Sequence, residues 1–445
     1  MRDMTQGSPY SHLWRYALPL LLANWLQLAY NAVDSIIAGR FIGREALAAE
    51  GIAAPIMNLV ILAISGVCIG AGVLMSERYG ARDLKGLHKT LSTTLVSGMT
   101  TSIAVALAGF ALSPLILKLL LVPDEIMPVT IKYLRITFLG APFTFAYNAL
   151  AAAMKSVGDS KTPLKFLAFS AILNAVLDLI LLGVFHMGII TSATTTVIAE
   201  AASAMLAMHY LITETPQLLP ERGEWSPDRR NFFQLMKYGA PSAIQQAMQP
   251  IGKVMIQGYV NALGVNAIAA YNAVTRVDGF ALIPEQGIAS AISTYIAQNR
   301  GANKEDRIKS GFAAGIRMEL IYGVFIALLA FTLRRPIVAM FVKGDGTNEV
   351  IELGAAYLSI MSFLYILPGL TNGFQGYFRG IGRIPVTILC TGIQITLRVI
   401  STALLSPVMS IRGIAIACGI GWMAMLAFEI PYALHDLRQR TITKS

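Results

Sequence analysis

Of 445 residues, 55% are hydrophobic and only 13% charged, and mean hydropathy is +0.61; a soluble protein carries about 25% charged residues. That balance excludes a soluble globular enzyme. The net charge of +10 would suit nucleic acid, but the basic residues gather on one side of a set of apolar runs rather than along one polar surface.

Twelve such runs lie at 14–39, 46–75, 90–119, 128–153, 163–185, 188–212, 233–262, 266–297, 309–333, 349–373, 384–408 and 411–434. Each suits a membrane-spanning helix, which needs about 20 residues. A β-barrel would instead show segments of about 10 residues with alternating polarity. Lipid offers no partner to a free backbone group, so helices are required. The predicted fold is an all-α integral membrane protein of twelve transmembrane helices.

Run 1 carries Asn24, Gln27, Asn31 and Asp34 at spacings of three, four and three, which place all four on one helix face. A carboxylate such as Asp34 at membrane depth costs several kcal/mol, about 2.5–3.5 on insertion scales, unless it faces a polar cavity or a partner. Tyr30 stands one turn before it, and Pro19 near the start permits a bend. The run has the apolar character of a signal peptide but no small-x-small cleavage site, so it is expected to remain as a helix. Run 2 holds Gly66, Gly70 and Gly72, which suit close helix packing. Run 5 brings Asn174 and Asp178, one turn apart, and run 6 adds the Thr196 hydroxyl. Two carboxylates, an amide, a phenol and a hydroxyl can serve two purposes. Burial and like-charge repulsion can make one carboxylate bind and release a proton, or the oxygens can coordinate a hard cation such as Na+. A buried structural network is the plainer alternative.

The chain then repeats itself at a shift of 221–224 residues. Tyr16-Ala17-Leu18-Pro19 answers Tyr238-Gly239-Ala240-Pro241, and Tyr79-Gly80-Ala81 answers Arg300-Gly301-Ala302. Gly43-Arg44-Glu45-Ala46-Leu47 answers Gly264-Val265-Asn266-Ala267-Ile268, and Lys155-Ser156-Val157-Gly158 answers Arg379-Gly380-Ile381-Gly382. Six helices return the chain to its starting side, so the copies share one orientation. Two six-helix bundles related by a pseudo-twofold axis along the membrane normal are expected. Residues 1–212 form the first bundle, 213–232 a linker and 233–445 the second.

Run 7 repeats the polar stripe with Gln246, Gln249, Lys253 and Gln257. The two stripes suit a central aqueous cleft. Gln27, Asn31, Gln246, Gln249, Tyr271, Asn272 and Asp278 are the expected substrate-cavity side chains. The second copy breaks the ion pattern: Asp34 aligns with Met255, Asn174 with Arg398 and Asp178 with Thr402. Ion chemistry is therefore expected in the first bundle alone. Arg276, Asp278, Glu285, Arg317 and Glu319 either pair among themselves or meet a charged substrate.

Cys68, Cys390 and Cys418 lie inside apolar runs without metal-ligand spacing, and the five histidines form no ligand pair. The sequence shows no phosphate-cradling loop, ATPase motif or nucleophile elbow. Enzymatic function is not expected, and transport energy would come from an ion gradient.

These features together resemble the multidrug and toxic compound extrusion (MATE) family. The carrying residues are Val33-Asp34-Ser35 with Gly39, Tyr79-Gly80-Ala81, Lys155-Ser156-Val157-Gly158-Asp159 and Gln298-Asn299-Arg300-Gly301-Ala302. The Asn174-x-x-x-Asp178 pair is similar to the DinF-like branch. The resemblance implies two lobes in a V, alternating access, and antiport of small organic cations against H+ or Na+. It places the proton or Na+ site at Asp34, Asn174, Asp178 and Thr196, with Tyr30 beside it. Another branch uses acids in helices 7 and 10. Here the helix 7 position is Gln249 and helix 10 has no central acid, so no second-lobe ion site is expected.

Of the Lys and Arg residues, 22 of 35 fall on the side of both termini and 9 on the other, which puts both termini in the cytoplasm. The expectation is a multi-pass inner (plasma) membrane monomer. Its partners are lipid and small organic cations rather than nucleic acid, and it needs no cofactor beyond H+ or Na+. A lipid-linked oligosaccharide or lipid flippase is the rival within the same superfamily, and a receptor or channel the rival outside it.

Overall fold

The computed structural model describes residues 3–41, 44–221, 223–342 and 347–442. Side chains are described for these except at 34–36, 38–40, 44–47, 441 and 442. Among the described residues no strand occurs. The first half runs α1 (Pro9–Phe41), α2 (Arg44–Gly80), α3 (Leu84–Leu119), α4 (Met127–Ser156), α5 (Lys161–Asp178) and α6 (Ile189–Thr213). The second runs α7 (Arg229–Asn261), α8 (Val265–Gly301), α9 (Glu305–Thr332), the short α10 (Arg334–Ala339), α11 (Thr347–Leu364), α12 (Ile366–Gly380), α13 (Ile384–Met409) and α14 (Ile411–Ile442).

Eight of these helices are long and apolar enough to cross a membrane, and α11 with α12 makes a ninth span bent by 42°. The remaining α1, α7 and α8 are 33, 33 and 37 residues long. They are long enough to cross, but their polar side chains lower their hydropathy. With them the spans are the expected twelve. The tenth run is not one helix, because Pro368 has no N–H for the Leu364 carbonyl and its ring crowds that carbonyl. The fifth run ends in a π-helical stretch, Leu179–Val184, directly after Asp178.

The repeat is visible in the backbone. α1 and α7 have the same length, as do α2 (37 residues) and α8. Arg82 and Asn303 have φ of 58° and 54°, Gly158 and Gly382 of 82° and 79°, and His186 and Ser410 of 51° and 54°. The first two pairs close their helices alike. Asp83 N bonds to Arg78 O, Asp159 N to Met154 O, Lys304 N to Asn299 O and Arg383 N to Phe378 O, all at 2.8–3.1 Å. Each bond spans six residues from a left-handed position, the Schellman way of satisfying the last carbonyls of a helix.

The chain divides into two compact units, one centred on Trp25–Ala243 and the other on Met4–Asn24 with Ile244–Ser445. In the first, Leu87, Leu91 and Leu95 of α3 pack with Phe145, Ala149 and Ala152 of α4 and with Leu235 of α7. Gly66 and Gly70 let α2 lie against the α7 backbone: a Cβ on Gly70 would sit 2.5 Å from Gly239 N. In the second, Leu13, Tyr16 and Ala17 of α1 pack with Ile288, Ile292 and Tyr295 of α8 and Tyr377 of α12. Such close approach holds helices together where lipid supplies no hydrophobic drive.

Candidate functional site

In the first unit, the i, i+4 spacing puts Asn174 and Asp178 on one face of α5, and both are buried. α6 meets them with Thr195 and Thr196. The Thr195 hydroxyl lies 2.5 Å from Asp178 Oδ1 and 2.8 Å from Ser192 O. One terminal atom of the Asn174 amide is 3.1 Å from Thr196 N, and the other is 3.1 Å from Asp178 Oδ2 and 3.0 Å from the Tyr30 hydroxyl. Thr196 N–H is a donor, so the first atom is Oδ1, and Nδ2 donates to Asp178 and Tyr30. Of the expected ion-site residues, the fold thus joins Tyr30, Asn174, Asp178 and Thr196. Asp34 lies on α1, and its side chain is outside the described residues.

The hydrogen count is informative. The Thr195 hydroxyl has one proton to share among Asp178 Oδ1, Ser192 O and, at 3.4 Å, Asn174 Oδ1. If it donates to Ser192 O, the contact with Asp178 is completed by a proton on the carboxyl group. If it donates to Asp178, the carboxylate is ionised there and Ser192 O keeps the Thr196 hydroxyl as its donor. Among the described residues, no cluster of three or more His, Cys, Asp or Glu stands ready for a metal ion.

The expected cavity residues divide. Gln27 and Asn31 of α1 and Gln249 and Asn272 in the second half are exposed, and Gln246 is half-buried. Tyr271 is buried and meets Tyr357 edge to face at 5.8 Å. Asp278 Oδ1 accepts a 2.6 Å hydrogen bond from Tyr365, the residue at the α11–α12 break. Lys253 and Arg398 act electrostatically on Asp278, and the Arg398 Nε is buried without a hydrogen-bond partner. A hollow of about 900 Å³ lined by Arg334, Arg335, Glu349, Glu352 and Arg412 lies at helix ends, away from these groups.

Three polar arrangements escaped the sequence reading. Thr195 was hidden in the run Thr194-Thr195-Thr196, where only the helix face picks the residue that meets Asp178. Glu200 accepts a 2.6 Å bond from Thr144. Gln245, not its stripe neighbour Gln246, enters a network: its amide donates to Gln375 Oε1 at 2.8 Å, and Gln375 donates to Glu429 at 2.6 Å. Of the two outcomes expected for Arg276, Asp278, Glu285, Arg317 and Glu319, pairing among themselves is not seen among the described residues. Arg276 lies over the Phe341 ring at 5.9 Å, Arg317 is exposed, and the two glutamates are fully buried.

A bundle of this kind, with buried carboxyls on apolar helices, is that of a polytopic membrane protein. A family model described as MatE matches residues 19–180 and again 241–404, once on each copy of the repeat, and the chain belongs to that family. It is a transporter and not an enzyme. It is 28% identical over 424 residues to the "Probable multidrug resistance protein YpnP" of Bacillus subtilis (strain 168), covering 95% of this chain and 94% of that one. It is 22% identical to "Multidrug export protein MepA" of Staphylococcus aureus (strain MSSA476), covering 96% and 94%. It is 25% identical to an "FAD transporter" of Shewanella oneidensis, covering 79% and 78%. The solved structure described as the outward-facing conformation of a multidrug resistance MATE family transporter superposes with a TM-score of 0.90 at 18% identity, covering 99% and 98% of the two chains.

Proposed function

We propose that the chain is an ion-coupled antiporter that exports small organic compounds, cationic ones foremost, across the inner membrane by alternating access. The observation that carries this is the cluster of Tyr30, Asn174, Asp178, Thr195 and Thr196, in which Asn174, Asp178 and Thr195 are buried on α5 and α6, helices apolar enough to span. A buried ionisable group at that depth costs several kcal/mol and marks an ion path. The relatives named for multidrug resistance and export support the cargo class. A protonated Asp178 can complete the Thr195 contact, and a proton is the coupling ion proposed here.

In the proposed cycle, substrate enters from the cytoplasm, an outside ion occupies the Asp178 cluster with Asp34, substrate leaves outward, and the ion leaves inward. Ion and substrate need only prefer opposite conformations. Both termini lie in the cytoplasm, following the asymmetry of basic residues, and one chain suffices. The test is uptake of ethidium into inverted vesicles under separately imposed proton and sodium gradients. Uptake driven by one gradient in wild type and lost in Asp178→Asn supports antiport; uptake indifferent to both gradients removes it.

A second reading has its own observation. Lys253 and Arg398 beside Asp278 leave that cluster with excess positive charge, and one relative is named for FAD. The cargo would then be a bulky organic anion, and FAD competing with ethidium in the same vesicles would favour it.

A further inference from the structure

We propose that Glu285 of α8 and Glu319 of α9 form a second proton-binding site, both beside Gly369 of α12. Both side chains are completely buried. Glu285 Oε1 and both oxygens of Glu319 have no hydrogen-bond partner. The remaining oxygen, Glu285 Oε2, accepts a long 3.3 Å bond from Asn372 Nδ2. The free oxygens converge: a Cβ built on Gly369 would stand 3.5 Å from Glu285 Oε1 and 3.5 Å from Glu319 Oε2. The missing side chain of Gly369 leaves room beside both carboxyl groups.

The groups around the pair offer no cation. From α9, Tyr322 donates to Ala281 O at 3.0 Å. From the α11–α12 break, Tyr365 donates to Asp278. From α1, Asn24 donates to Ile283 O at 3.1 Å. From α14, Glu429 is held by Gln375. Arg276 is over Phe341, and Arg317, only two residues from Glu319, is exposed. Among the described residues, no Lys or Arg forms an ion pair with either glutamate.

Two unpaired carboxylates in a dry interior are prohibitively costly as ions, whereas neutral carboxylic acids are tolerable. A hard metal ion is the poorer occupant. It takes about six or more oxygens, and Asn372 presents its amide nitrogen, a donor, to the pair. Protons need only the oxygens already there.

The location gives the site a mechanical consequence, which rests on the antiport reading. Gly369 lies one turn beyond the 42° bend between α11 and α12. Proton loss would place two like charges on α8 and α9 beside Gly369 and push those two helices apart. Proton return would let them close.

The test is infrared difference spectroscopy of the full chain in lipid at about pH 8, well above the value of about 4.3 for a free glutamate. Wild type is compared with Glu285→Gln and Glu319→Gln as separate preparations, so the other buried carboxyls cancel. The expected difference is loss of a carboxylic-acid carbonyl band in at least one variant. Loss of an ionised carboxylate band in both would overturn the proposal. A second measurement needs no variant: a lipid-soluble carbodiimide, which reacts with protonated carboxyls, followed by mass spectrometry. Labelling of Glu285 or Glu319 at about pH 8 is expected, and labelling of neither counts against the site. In vesicles, Glu319→Gln should lower proton-driven ethidium uptake by about 5- to 150-fold, the usual range of coupling between sites. If wild type shows no gradient-driven uptake while the acid band is present, antiport falls and the proton site stands.

Discussion

Asp178 and Thr195 show how much a single contact can decide. The spacing of Asn174 and Asp178 was readable because i, i+4 residues share a helix face. Their partner Thr195 was not, because three consecutive threonines look alike until α6 is packed on α5. Thr194 turns away to Ile190 O, while Thr195 reaches Asp178. Thr195→Val removes a hydrogen bond to Asp178, a contact of about 0.5–1.5 kcal/mol with a neutral carboxyl and about 1.5–3 kcal/mol with an ionised one. It should reduce gradient-driven uptake by at least tenfold without changing the amount of folded protein; unchanged uptake would make Thr195 a structural residue only. The glutamates of the second unit went the other way. The sequence left Arg276, Asp278, Glu285, Arg317 and Glu319 either to pair among themselves or to meet a charged substrate, and Arg317 and Glu319, two apart on one helix, face different sides. One became exposed and the other buried.

At the scale of elements, twelve spans were legible from apolar length alone. The bend at Tyr365 had a signal in Pro368, which lies inside the expected tenth run. The π-helical turn after Asp178 had none, and such turns often accompany functional sites. Glycines in α2 divide by what they touch. Gly70→Ala would drive a methyl into the backbone of Tyr238 and Gly239. It should cost about 1–3 kcal/mol, read as a lower melting temperature of the purified chain. Gly51→Ala meets open space and should leave stability equal or up to about 1 kcal/mol higher. The stretch between α6 and α7 is tied to α3 through His88, whose ring nitrogens lie 2.9 Å from Glu224 Oε2 and 2.9 Å from Gln217 O. The Glu221 backbone N–H and the His88 hydrogen bond hold the Glu224 carboxyl below its ordinary range. Its contribution is therefore complete above the ordinary glutamate value of about 4.3 and lost as pH falls through the lower folded value. Limited proteolysis of this stretch should accelerate on acidification across that window, and His88→Ala should accelerate it already at neutral pH. Cleavage independent of both would mean the tie does not hold the segment.

For the whole molecule, the repeat was the strongest message in the sequence. It returns as matched helix lengths, matched left-handed turns and two separate matches to one family model. The division into compact units was harder to read. The first 24 residues fold mostly with the second half, and α7 up to Ala243 folds with the first, a consequence of side-chain packing that apolar runs do not record. The two units also differ chemically. The first gathers Asn174 and Asp178 with hydroxyls, and the second buries Glu285 and Glu319 with no ion-pair partner among the described residues. The most direct measurement is ethidium uptake into inverted vesicles with a proton gradient or a sodium gradient alone, for wild type, Asp34→Asn and Asp178→Asn. Proton-coupled antiport gives uptake with the proton gradient, little with sodium, and background in both variants despite normal membrane abundance. Equal uptake in wild type and the variants, or uptake that needs no gradient, would contradict it.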